Sequence, residues 1–228
     1  MKSKPALLLF LLIGALSFVL AKDTAPTWLS AEQEQALVAT VPPPPEVGSA
    51  GDKADEEAVL AAEKARTPGI IAQCQRFEHF KYELFADIYG EKLTSELDPK
   101  FHALMKETLE ITRIVNETAK NKYKRLRPYQ EHLDAVHSLF PVTGFSYPSG
   151  HSMGSFTLAV VLGAVFPDKA QAFLDRAAAI AQSRVDAGVH NPSDIKEGET
   201  LGKATAAAIL ANPAFQADLT AVKAELAK

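Results

Sequence analysis

From about residue 52 onward, apolar or small side chains recur every three or four positions, and alternation at every second position is nearly absent. Phe101, Leu104, Met105, Thr108, Leu109, Ile111 and Val115 form one such stripe. Spacing near 3.6 lines residues up on one face of a helix. Rich in Ala, Glu, Leu and Lys, the chain is expected to be helical over 53–66, 72–89, 99–126, 151–165, 168–187, 193–211 and 213–227. Breaks are expected at Pro68-Gly69, Gly90, Asp98-Pro99, Pro128, Pro141 to Pro148, Pro167, Gly188 to Pro192 and Pro213. The pattern predicts an all-α, compact multi-helix bundle in a single domain.

The N-terminal stretch follows another pattern. A basic start, Met-Lys-Ser-Lys, leads into an apolar run from Ala6 to Leu20, with Val19 and Ala21 before the polar Lys22-Asp23. This reads as a secretory signal over 1–21, cleaved after Ala21, because the run is shorter than the roughly 20 residues that cross a bilayer. The product is expected to be periplasmic or secreted, without stable membrane insertion. Residues 22–51 read as a proline-rich extended leader. Pro42 to Pro45 fix the backbone and remove donors, so this leader is expected to wrap over the helical body of 52–228.

Composition narrows the function classes. Lys and Arg number 24 against 28 Asp and Glu, and losing Lys2 and Lys4 with the signal takes the net charge from -4 to -6. A chain of that sign is not a general nucleic-acid binder, so any anion it handles must meet a local cationic cluster. Cys74 is the only cysteine. It forms no intrachain disulfide and reads as a buried helical residue.

Three motifs carry such a cluster. Lys120 precedes Arg127-Pro128 by seven residues, which on a helix puts the two cations on one face, with Pro128 setting the helix end. Pro148-Ser149-Gly150-His151 precedes an apolar run, so Ser149 is a natural N-cap, and the free N–H groups of the first turn suit an anion. Ser183-Arg184 is followed by a turn, His190 and Asp194; Asn191 or Ser193 can cap the next helix. A carboxylate four residues from a histidine can accept its Nδ1–H and leave Nε2 to attack. Taken singly, each motif also suits an ordinary capped or solvated helix end. Together they supply what phosphoryl transfer needs: cations for the equatorial oxygens, an in-line nucleophile and a proton donor, with no metal or other cofactor required.

In order and spacing, the three motifs resemble the signature of the type-2 phosphatidic acid phosphatase superfamily, which also contains vanadium haloperoxidases. Class A bacterial non-specific acid phosphatases are the most similar branch, through the Pro42 to Ser49 run before Asp52, Ser146-Tyr147 ahead of Pro148, and the length after signal removal. The resemblance implies a phosphohistidine mechanism. His190 would be the nucleophile, Asp194 its orienting carboxylate and His151 the acid for the leaving oxygen. Lys120, Arg127, Arg184, Ser149 and Gly150 would hold the phosphate. Class A members usually continue after the aspartate with Ala-Gly-Arg; here Ile195 to Glu199 follow, and Glu199 stands where an arginine is common. The cysteines some relatives carry between the first two motifs are absent.

The expected substrates are therefore small phosphate monoesters, such as nucleotides, sugar phosphates and aryl phosphates, hydrolysed by an acid phosphatase. Alternatives are a vanadate-dependent haloperoxidase, a lipid or diphosphate phosphatase, and a non-catalytic phosphate-binding protein. The sequence leaves the oligomeric state open, a homo-oligomer included.

Overall fold

The computed structural model describes residues 28–90, 93, 96 and 98–228, so the expected signal over 1–21 lies outside the described residues. The fold is all-α, with no strand among those residues. In chain order the helices are α1 (Ala31–Thr40), α2 (Ala50–Lys64), α3 (Pro68–Arg76), α4 (Ala86–Tyr89), α5 (Pro99–Tyr123), α6 (Pro128–Glu131), α7 (Gly150–Val165), α8 (Ala170–Asp186), α9 (Pro192–Leu210) and α10 (Pro213–Leu226). Helix α7 is the axis of the bundle and packs on α5, α8, α9 and α10. Every residue from Ser152 to Ala159 is buried, which leaves this helix no solvated stripe over those two turns. Phe101, Met105 and Ile111 of α5, Phe173 and Ile180 of α8, and Phe215 of α10 close the main core around Leu158 and Leu162.

Two expectations need correction. The helix read over 72–89 is interrupted: α3 ends at Arg76, Phe77 to Lys81 are irregular, and a 3₁₀ turn over Tyr82–Phe85 precedes the short α4. The leader is not extended throughout. Ser30 caps α1 by accepting from the Gln33 N–H, and the Gln33 side chain accepts from the Ser30 N–H, a reciprocal capping box. Beyond α1 the chain lies over the bundle, with the carbonyls of Val41 and Pro42 accepting from the hydroxyls of Tyr123 and Tyr147.

Helices α7 and α9 approach unusually closely because Gly198 and Gly202 face α7. A Cβ on Gly202 would meet the Met153 carbonyl oxygen at 2.5 Å, and one on Gly198 would meet the Ser149 carbonyl oxygen at 2.7 Å. This seam sets His151 and His190 relative to each other, since the Ser149 N–H also donates to the Asp194 carbonyl at 2.9 Å. Gly202→Ala is expected to lose about 1–3 kcal/mol, because two backbones must part to admit one methyl. Calorimetry should show a Tm lower by roughly 2–4 °C for each kcal/mol. Gly69→Ala, where the nearest atom would be 3.8 Å away, should melt with the parent or above it. Coincident melts for Gly202→Ala and the parent would contradict the close seam.

Candidate active site

One cavity, of about 250 Å³, opens beside the N-terminus of α7. Lys120, Arg127, Gly150, His151 and His190 line it, with Asn116 and the apolar Phe80, Leu109 and Val142. Ser149, Arg184 and Asp194 lie behind that lining, each no more than 1% exposed. The three motifs thus meet in one place.

His190 is held at both ring nitrogens. Its Nε2 is 3.1 Å from Arg127 Nη1, a group that can only donate, so Nε2 carries a lone pair and the proton resides on Nδ1. Nδ1 stands 3.2 Å from both Asp194 Oδ2 and Ser146 Oγ. Asp194 Oδ2 also accepts from the Ser146 hydroxyl and, at 2.8 Å, from the Asn191 N–H. His151 presents Nε2 to the Glu78 carbonyl at 3.0 Å, and a carbonyl can only accept, so this nitrogen carries a proton. Phe80 tilts against the His151 ring at 5.4 Å between centroids, over Gly154, where a Cβ would meet Phe80 at 2.4 Å.

The cations are placed differently from one another. Arg127 spends its donors on the carbonyls of Thr143, Gly144, Phe145 and Val189 as well as on His190, pinning the loop before α7 to the turn that carries His190. Lys120 donates to the carbonyls of Phe145 and Ser146. Among the described residues, Arg184 makes a 3.4 Å hydrogen bond to the Phe77 carbonyl and its buried Nε has no partner, while its guanidinium lies 5.2 Å from the Phe140 ring centre. None of the three forms an ion pair with a carboxylate among the described residues. Ser149 caps α7 by accepting from the Ser152 N–H, which leaves its hydroxyl hydrogen to donate.

Residues 105–216 match the model of the PAP2 superfamily. A non-specific acid phosphatase from Providencia stuartii is 28% identical over 232 residues, covering 90% of this chain and 87% of that one. A second, from Salmonella typhi, is 31% identical over 149 residues, covering 63% of this chain and 59% of its own length. The chain belongs to the PAP2 superfamily. Its fold agrees: a transmembrane PAP2-type phosphatidylglycerolphosphate phosphatase from Bacillus subtilis superposes with a TM-score of 0.55 at 24% identity, covering 78% of this chain and 90% of that one. Unlike that transmembrane enzyme, this PAP2 chain has no helix among the described residues long and apolar enough to cross a membrane.

Electrostatics in this PAP2 site follow from burying cations together. Burial, then Arg127, Lys120 and Arg184, holds His190 well below the usual histidine range, so its Nε2 lone pair is free of a proton at neutral and mildly acid pH. Burial and then Arg184 bring His151 down to about 3. Burial and then Arg127 lower Lys120 to about 7 and Arg184 to about 10. Each shift has the direction that a bound anion would reverse.

Several residues around the site escaped the motif reading. Arg125, Ser146, Asp52 and Asp55 form a buried network behind Asp194, and Phe77, Glu78 and Phe80 come from the segment expected to be helical. Arg125 and Arg127 sit two apart in extended chain after Lys124, whose φ of +52° ends α5. Both therefore point inward, while Leu126 between them is 51% exposed. Glu199 lies outside the cavity and pairs on the surface with Lys203. Cys74 is fully buried in α3, its thiol 3.4 Å from the Ser183 carbonyl.

Proposed function

We propose that this PAP2 phosphatase hydrolyses small phosphate monoesters, among them nucleotides, sugar phosphates and aryl phosphates, through a phosphohistidine on His190 and without a metal ion. It acts outside the cytoplasm, in the periplasm or medium, once the 1–21 segment is removed. One observation supports the reading most: three buried cations, Lys120, Arg127 and Arg184, surround a neutral histidine and have no carboxylate partner among the described residues. Buried charges ordinarily come paired. Here the missing counter-ion is the phosphoryl group.

In the first step the substrate phosphoryl enters, and the Arg127 N–H that occupies Nε2 turns to a phosphoryl oxygen. The Nε2 lone pair then bonds to phosphorus as the bond to the leaving oxygen breaks, and that oxygen takes a proton from His151. Asp194 offsets the positive charge that develops on His190 through Nδ1–H. In the second step His151 takes a proton from water, the water oxygen attacks phosphorus, the P–N bond breaks, and inorganic phosphate leaves. The cations supply the charge that divalent ions supply elsewhere, and Asp194 is already committed to Arg125, Ser146 and His190.

Hydrolysis of p-nitrophenyl phosphate in excess EDTA is the test. Turnover is expected to survive chelation and to be inhibited competitively by inorganic phosphate. Activity lost on chelation and restored by one particular metal would overturn the mechanism.

A further inference from the structure

Behind Asp194 lies a buried charge cluster that the two chemical steps do not use. Arg125, 8% exposed, donates from Nη1 to Asp194 Oδ1 at 2.9 Å and to Ser193 Oγ at 2.7 Å. Its Nη2 donates to Asp55 Oδ2 at 3.0 Å and lies 3.4 Å from Asp52 Oδ1, both on α2. Burial works against the Arg125 charge, but Asp194 and Asp55 outweigh it and leave its pKa raised. Asp55 in turn accepts from the Ser193 N–H at 3.0 Å.

A carboxylate turns about the bond that joins it to its side chain, so holding one oxygen does not fix its plane. Asn191, Ser146 and His190 all engage Oδ2, whereas Arg125 supplies the hydrogen bond to Oδ1. The same extended triplet grips the imidazole at its two ends, Arg127 directly at Nε2 and Arg125 through Asp194 at Nδ1. Resting on the phosphohistidine reading above, we propose that Arg125 is a positioning residue for the nucleophile: anchored by Nη2 on α2, it fixes the plane of the Asp194 carboxylate and so the aim of His190 Nε2.

Lysine keeps the charge but has no planar fork with which to bridge Asp194 and Asp55 at once. Arg125→Lys is expected to lower kcat roughly 10- to 100-fold, the loss typical of a reacting group displaced by about 1 Å, with little change in KM. In histidine-labelled protein the His190 Nδ1–H signal is expected to be sharp and slow to exchange in the parent, where it is buried against Asp194, and to broaden in Arg125→Lys. Asp55→Asn weakens the α2 anchor but spares the direct Asp194 contact, so it should lower Tm and lower kcat in the same direction as Arg125→Lys, by a smaller factor. If Arg125→Lys does not fold, the charge-balanced pair Arg125→Gln with Asp55→Asn, compared with Asp55→Asn alone, carries the same test. Parent-like kcat and Nδ1–H signal in the Arg125 variants would overturn the proposal and leave the phosphohistidine reading intact. His190→Ala, assayed alongside, separates the two, since turnover retained there would remove the nucleophile that Arg125 is said to aim.

Discussion

His190→Ala is expected to abolish turnover of every phosphomonoester, with kcat falling by about 10⁵-fold or more, in the range seen when a covalent nucleophile is deleted. The size of the loss follows from the site's division of labour. Lys120, Arg127 and Arg184 can still bind and polarise a phosphoryl group, but no other nucleophile stands where Nε2 does. Competitive binding of inorganic phosphate should therefore persist in the variant within a few-fold, which separates loss of chemistry from collapse of the cavity. Turnover that survives His190→Ala would remove the nucleophile from the account.

The second large effect concerns His151. His151→Asn is expected to slow hydrolysis of alkyl phosphates by roughly 10²- to 10⁴-fold, the usual worth of a positioned general acid, and p-nitrophenyl phosphate far less in the phosphorylation step, because nitrophenolate leaves without a proton. Two histidines of ordinary affinity, one required neutral and one protonated, would give a bell on the acid side of neutrality. Burial and Arg184, however, put His151 at about 3, and burial and Arg127 hold His190 well below the usual histidine range, so both rings are neutral near neutral pH. The leaving group's proton then enters on the substrate, as the monoanion whose second ionisation lies near pH 6. Once the dianionic phosphoryl group sits among the cations, its charge offsets Arg184 and favours protonated His151. In the parent, kcat/KM for an alkyl phosphate should accordingly fall above about pH 6, following the substrate's ionisation. The alkaline limb of kcat should lie at higher pH, since the bound anion raises His151. An alkyl phosphate cleaved by His151→Asn at the parent rate would assign the acid elsewhere.

The helical bundle was legible because apolar spacing and prolines agreed with one another over long stretches: the helix expected over 99–126 spans Pro99–Tyr123. Its last turn was overestimated because Lys124 adopts a left-handed conformation that composition does not reveal. The break at Phe77 to Lys81 has no Gly or Pro to announce it. Its causes are tertiary: Phe80 fills the space left by Gly154, and the Phe77 and Glu78 carbonyls face Arg184 and His151. Helix α1 did carry a sequence signal, the Ser30 to Gln33 capping box, hidden in a leader whose prolines dominated the pattern. Within the site, each motif's histidine, cation or cap could be read from local spacing. Arg125 could not, because its inward aim depends on where α5 ends, and its partners Asp52 and Asp55 arrive from a helix some 70 residues earlier.

The central claim is a phosphoryl group bonded to His190, and the His151→Asn variant offers the best place to trap it. With p-nitrophenyl phosphate the first step needs no acid, whereas the second lacks its base, so the phosphoenzyme should accumulate. Rapid mixing followed by alkaline quench and peptide mapping is expected to give a burst of nitrophenol close to one per site, with an acid-labile, base-stable phosphate on the peptide carrying His190. No burst, or phosphate mapped to any other residue, would contradict the account.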